Sequence, residues 1–183
     1  LDLALSLAPE HFSLYALTIE PGTPLGNWFN RGLIPEPDPD LAADMYELAS
    51  EKLSQGGYLQ YEISNWAKST PTDLQSSTGS PAFASRHNLQ YWRNLPYLGL
   101  GAGAHGFVRG YRTVNQRSPQ KYIQKLKNSM SPENGFPKTV ATVDIEPVDR
   151  QREISETMLM GLRLTREGIS NQRFMARFDT SLG

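Results

Sequence analysis

The side chains able to do chemistry here are few. The sequence holds three histidines, His11, His87 and His105, and no cysteine. His87 is set in Arg86-His87-Asn88-Leu89-Gln90-Tyr91-Trp92, beside a carboxamide and four residues ahead of an aromatic pair. Imidazole is a common axial ligand of haem iron, and neighbouring aromatic rings can cover a porphyrin face. The same spacing also describes a structural histidine that packs on a ring or makes a hydrogen bond. His11, at the head of an apolar stretch, reads as a polar strand end.

A glycine-rich run follows, Leu98-Gly99-Leu100-Gly101-Ala102-Gly103-Ala104-His105-Gly106. Its glycines would let a backbone come close to something flat or anionic. They do not make a dinucleotide fingerprint, which needs a wider second spacing and a helix opening after it. A tight strand or bulge packed against a neighbour accounts for them as well. Acidic residues are scattered, with no zincin, P-loop or nucleophile-elbow pattern. Glu20 and Glu62 are expected at strand ends, as solvent-facing caps or ligand contacts. The lack of cysteine excludes disulfides, thiolate zinc sites, cysteine nucleophiles and any iron–sulfur cluster ligated by this chain alone.

The elements that must position these residues can be read from periodicity and caps. Residues 1–8 form a helical pattern stopped by Pro9. His11 to Glu20 then reads as a strand apolar on both faces, of the kind found in covered parallel sheets. Asn27 to Pro39 reads as a loop. Asp38 or Asp40 caps a helix with Leu41, Met45, Leu48, Ala49 and Leu53 on one stripe, ended by Gly56-Gly57. Tyr58 to Ser64 alternates as a strand, which makes 11–64 a βαβ-type unit. Residues 68–85, rich in Ser, Thr and Pro, read as a long mobile loop. Ser118-Pro119 starts a short helix, and Ser129 to Pro147 reads as a second loop. Asp149 caps a helix carrying Ile154, Met158, Gly161 and Leu162, and Ser170 caps a last one bearing Phe174 and Phe178. That helical, winged-helix-like end has no internal repeat.

A length of 183 residues fits one or two domains. With 20% charged and 38% hydrophobic residues, the balance is globular. A formal net charge of −1 gives no electrostatic reason to expect nucleic acid or an anionic membrane. Lys121, Lys125 and Lys127 read as a solvated helix face. No run reaches the ~20 apolar residues of a membrane span, and no secretory leader pattern is present. Cytoplasm or an organelle stroma is therefore expected. Both ends lie against helical patterns, Leu1 to Ala8 at one and Phe174 to Phe178 at the other, so the sequence reads as a fragment.

Three segments together resemble one family. They are Ser13 to Leu25 (SLYALTIEPGTPL), Tyr61 to Ala67 (YEISNWA), and Arg86 to Trp92 running into Tyr97 to Gly106. They are similar to the oxygen-independent coproporphyrinogen III oxidase-like proteins of the radical S-adenosylmethionine (SAM) superfamily, particularly the haem-chaperone branch. Leu159 to Leu164 with Gly168-Ile169 is similar to the start of that family's small C-terminal domain. The resemblance covers nearly the whole chain except 68–85.

It implies an α/β fold: the C-terminal part of a partial (β/α) radical SAM barrel, then a small, mainly helical C-terminal domain. Barrel strands and helices would occupy 1–67 and a flexible loop 68–85. The haem-motif and glycine-rich connecting segment would occupy 86–117, and a truncated C-terminal domain 118–183. The family's [4Fe–4S] cluster sits on a Cys-x3-Cys-x2-Cys motif that this chain cannot supply. SAM contacts would carry over at Thr18 and His105. The branch is marked by His-Asn-x-x-Tyr-Trp, matched at His87, Asn88, Tyr91 and Trp92, which implies haem binding with His87 as iron ligand. The expected function is haem binding and transfer, with a haem-acceptor protein and a homodimer as associations left open. The alternative is oxidative decarboxylation of coproporphyrinogen III by a SAM-derived radical, and the isolated chain is expected to be inactive.

Overall fold

The computed structural model describes residues 1–76, 79–128 and 135–182. It divides into two compact units, one of residues 1–85 with 165–167 and one of 86–164 with 168–183.

In the first unit, α1 (Asp2–Ser6) precedes β1 (His11–Ser13), α2 (Pro24–Asn30), α3 (Pro39–Gln55), β2 (Tyr58–Glu62), β3 (Asn65–Lys68) and α4 (Pro71–Gln75). The long helix is written into its caps. Asp38 accepts from the amides of Asp40 and Leu41 at 2.9 and 3.2 Å, and Pro39 takes the first-turn place where no N–H is needed. Leu53 is fully buried and packs with Phe12, Tyr58 and Trp66 as the core.

The sheet order is β1-β3-β2, with β3 antiparallel to both neighbours. β1 and β2 therefore run parallel, and α3 bridges them as a βαβ crossover, but they do not touch. The expected covered parallel pair is corrected: β3 fills the gap, because the chain doubles back at Ile63-Ser64 and forms a hairpin in place of one strand to Ser64. The expected strand 11–20 is corrected as well. Only 11–13 join the ladder, and 14–20 continue outside regular structure with Tyr15 and Leu17 exposed. A strand is made by its partners, and β3 ends its pairing with β1 at Ser13↔Asn65.

Helix enters two expected loops: α2 runs on to Asn30 within 27–39, and α4 lies within 68–85. Thr23 caps α2 by accepting from Gly26 N at 3.0 Å, with Pro24 at its first position. Within 68–85, Thr70 and Asp73 form a reciprocal capping box around α4. Arg166 donates to the Ser76 carbonyl at 2.7 Å, and Ser80 bonds Glu167 at 2.9 Å. Residues 77–78 of that stretch lie outside the described residues.

The second unit contains α5 (Arg86–Trp92), β4 (His105–Val108), β5 (Tyr111–Asn115), α6 (Pro119–Asn128), β6 (Thr142–Pro147), α7 (Arg150–Gly161) and α8 (Asn171–Phe178). β4, β5 and β6 form an antiparallel sheet in that order. β6 corrects the expected loop from Ser129 to Pro147, of which residues 129–134 lie outside the described residues. Lacking clean alternation, this edge strand is recruited by β5, with Thr113 opposite Ile145. The β5–β6 ladder joins residues on either side of the expected boundary between 117 and 118. Asp149 caps α7 through Arg152 N at 2.8 Å, and Ser170 caps α8 through Arg173 N at 3.3 Å. Arg112 of β5 and Arg152 both bind Glu156 of α7, at 2.5 and 3.0 Å.

Candidate functional site

The His-Asn-x-x-Tyr-Trp segment is helical, and the helix period sorts its side chains. Successive residues are rotated by about 100°, so positions four apart share a face. His87 and Tyr91 do so, with ring centroids 4.8 Å apart in an edge-on, T-shaped arrangement. The imidazole is exposed. Leu89, 5% exposed, marks the inward face. Asn88 is half-buried.

Trp92 turns away from His87. The Arg163 guanidinium lies over its ring at 4.3 Å from the centroid, and its indole N–H is buried without a hydrogen-bond partner among the described residues. Trp92 also lines a cavity of about 400 Å³ with Leu164, Ile169, Phe174 and Phe178. The structure thus brings two of the expected haem residues together, His87 and Tyr91, and places Trp92 on another side of the same helix.

Polar contacts also hold α5 in place. Asn94 takes a left-handed conformation with φ 49° just past the helix. Its side chain donates to Thr157 Oγ1 on α7 at 3.0 Å, and its carbonyl accepts from Arg177 of α8 at 2.8 Å. Arg177 is itself paired with Glu153. The site helix is therefore tied to both α7 and α8.

The glycine run resolves in favour of packing on the chain itself. A Cβ on Gly99 would stand 2.4 Å from the His105 carbonyl oxygen, a backbone atom that cannot give way cheaply. Gly101, at φ 100°, supplies a turn open only to glycine without strain. Asn115, 6% exposed, donates to both Gly99 and Gly101 carbonyls at 3.0 Å. Asn115 was not singled out in the sequence, where it is one polar residue at the end of a mixed strand. Leu98 and Leu100 stand exposed on the loop.

His105 opens β4 with its side chain exposed, opposite Val114. Thr18 is exposed in the extended stretch of the first unit. The two expected SAM positions thus belong to different units. Among the described residues, no group of three or more His, Cys, Asp or Glu side chains could hold a metal ion.

In the first unit, Glu62 corrects the reading of a solvent-facing cap. It is fully buried and accepts from the Asn65 carboxamide, whose oxygen accepts from Ser13 Oγ at 2.5 Å. A carboxylate buried there is tolerable because its neighbours bond it. Glu20 is exposed, as expected. His11 is half-buried, with Nε2 2.8 Å from the Tyr61 hydroxyl, which also accepts from Ser85 N at 3.1 Å. Burial holds the His11 imidazole below its ordinary pKa.

Comparison with known proteins gives these features relatives. No family model matches the chain. It is 38% identical over 182 residues to the haem chaperone HemW of Bacillus subtilis, covering 100% of this chain and 42% of that protein. It is 33% identical over 177 residues to the mitochondrial radical S-adenosyl methionine domain-containing protein 1 of Mus musculus, covering 94% and 36%. Its fold matches Escherichia coli coproporphyrinogen III oxidase (HemN), a radical SAM enzyme, with a TM-score of 0.64, 14% identity and coverage of 98% and 39%. The fold is thus that of a portion of a radical SAM protein. The chain is similar in sequence to proteins named haem chaperone HemW and radical S-adenosyl methionine domain-containing protein 1, and similar in fold to coproporphyrinogen III oxidase. It spans about two fifths of the length of these relatives. Among the described residues, no helix is long and apolar enough to cross a membrane.

Proposed function

We propose that this chain carries the haem-binding part of a haem chaperone, with His87 as the iron ligand and Tyr91 as the ring beside it. The observation that carries the reading is an exposed imidazole, oriented edge-on by an aromatic neighbour, within a sequence 38% identical to a haem chaperone. The donor set suits the cargo: a neutral imidazole presents one nitrogen lone pair to an axial iron position. Tyr91 limits the swing of the ring and offers apolar surface to a flat ligand. Asn88, one residue on, adds a carboxamide near the ligand, and Trp92 secures the helix that presents both.

An exposed ligand suits transfer better than storage, since bound haem would remain within reach of an acceptor. We propose transfer to an acceptor protein, with self-association to a homodimer as a further expectation, in the cytoplasm or an organelle stroma. Use of SAM and a [4Fe–4S] cluster is proposed for the whole protein on family grounds. This chain has no thiolate for such a cluster, and Thr18 and His105 are its candidate SAM contacts.

The test is a haem titration of the intact protein followed by its Soret band. His87→Ala is expected to remove most binding while the far-UV spectrum of the fold stays the same. An unchanged titration would sink the proposal.

A further inference from the structure

The face that carries His87 continues beyond the hexapeptide. Tyr91 meets the His87 ring at 4.8 Å and the Tyr97 ring at 4.6 Å, both nearly perpendicular at 89° and 75°. Three rings thus stand in series, and their far ends differ. His87 is exposed and leans on Tyr91. Tyr97 springs from a backbone fixed to a buried strand: its N–H donates to the Phe107 carbonyl at 2.7 Å, and the Phe107 N–H donates back at 2.9 Å. Phe107 is 2% exposed. The link between helix and ring is short and closed on itself. Leu95 N bonds the Gln90 carbonyl at 2.9 Å, and the Gln90 side chain bonds the Pro96 carbonyl at 2.5 Å.

Edge-to-face contacts restrict both partners, because each ring fills the space the other would need in order to change rotamer. Order therefore passes outward from Phe107 through Tyr97 and Tyr91 to the imidazole. We infer that Tyr97 is a positioning residue for the His87 ligand, fixing Tyr91 so that the imidazole is presented in one orientation. This rests on the haem-binding reading above. Trp92 has the complementary task. Its ring, under Arg163 and in the wall of the α7–α8 cavity, anchors α5 without joining the ring series.

Holding a ligand in its bound orientation in advance removes part of the ordering cost of binding. Loss of one edge-to-face contact corresponds to a change of about two- to tenfold in affinity. The experiment is a ferric haem titration of the intact protein, with affinity from the Soret band and ligand orientation from the electron paramagnetic resonance signal of the bound ferric haem. Tyr97→Leu is expected to weaken binding by about that factor and to split or broaden the signal, while Tyr97→Phe restores both.

Should Tyr97→Leu fail to fold, Tyr91→Leu breaks the series at its middle and is expected to broaden the signal in the same way. Wild-type affinity and signal in the Leu variant, or failure of Tyr97→Phe to restore them, overturns the role of Tyr97 while His87→Ala still abolishes binding. Wild-type binding by His87→Ala overturns the haem reading itself, so the two failures are distinct.

Discussion

The molecule contains two histidine–tyrosine pairs, one in each compact unit, and they use the same two side chains in opposite ways. In the first unit, His11 and Tyr61 lie with ring centroids 5.7 Å apart and a hydrogen bond of 2.8 Å from ring nitrogen to hydroxyl. Tyr61 is 1% exposed, and its hydroxyl also accepts from the Ser85 amide. The arrangement that uses every group has Tyr61 donating to a neutral His11, which agrees with burial holding that imidazole below its ordinary pKa. In the second unit, His87 and Tyr91 meet ring to ring, and the imidazole is exposed. The first pair spends the nitrogen lone pair on structure. The second orients the imidazole by ring contact and leaves it exposed for coordination chemistry. A histidine is a ligand candidate by what its neighbours leave unused.

The largest expected effect tests that contrast directly. His87→Ala should remove most haem binding, whereas His11→Ala should leave affinity within about twofold, as expected for a residue outside the binding face. Parallel Soret titrations decide, and equal losses would erase the distinction. Next comes Tyr61→Phe, which strips a buried hydroxyl from both His11 and the Ser85 amide. A cost of about 1–3 kcal/mol to the first unit is expected, read by denaturant unfolding.

A smaller effect lies in pH. A folded pKa below the unfolded one means that the unfolded chain takes up the His11 proton first. The stabilisation is therefore complete above the ordinary histidine value and is lost as pH falls below it, through the lowered folded pKa. His11→Gln should flatten that part of the stability profile, and an unaltered slope would show that other groups set it. The smallest expected effect is Tyr91→Phe, within about 0.5 kcal/mol in stability because its role rests on the ring and not the hydroxyl. A loss as large as that of Tyr61→Phe would show that the two pairs are built alike.

How much of this could be read from residues alone follows from where the determinants lie. Helices α3, α7 and α8 were legible because Asp38, Asp149 and Ser170 announce them locally, and each accepts the expected backbone bonds. Strand β6 was not, because its pairing is set by β5 some thirty residues away in sequence, with Thr113 opposite Ile145. The stretch 14–20 misled for the converse reason: an apolar run makes a strand only where a ladder partner exists. At the candidate site, the hexapeptide and the glycine run were visible as types and spacings. The separation of Trp92 from His87 needed the helical state of 86–92, which no cap or long periodicity advertises. Tyr97 enters through a turn and an isolated bridge to Phe107, a tertiary arrangement with no sequence pattern. Buried Glu62 escaped notice because a carboxylate at a strand end is ordinarily solvated, and only the hairpin brings Asn65 onto it.

The placement of β3 between β1 and β2 has a kinetic consequence. β2 and β3 are joined by a two-residue bend and can zip as a local hairpin, whereas β1 pairs only across a long stretch, His11 facing Ala67. Closing that loop brings an entropic cost that the hairpin does not share. Local closure therefore favours the hairpin forming first, with β1 expected to dock onto its edge afterwards. His11 reaches Tyr61 only at that docking, so the protonation of this one side chain reports on the closing step of the fold.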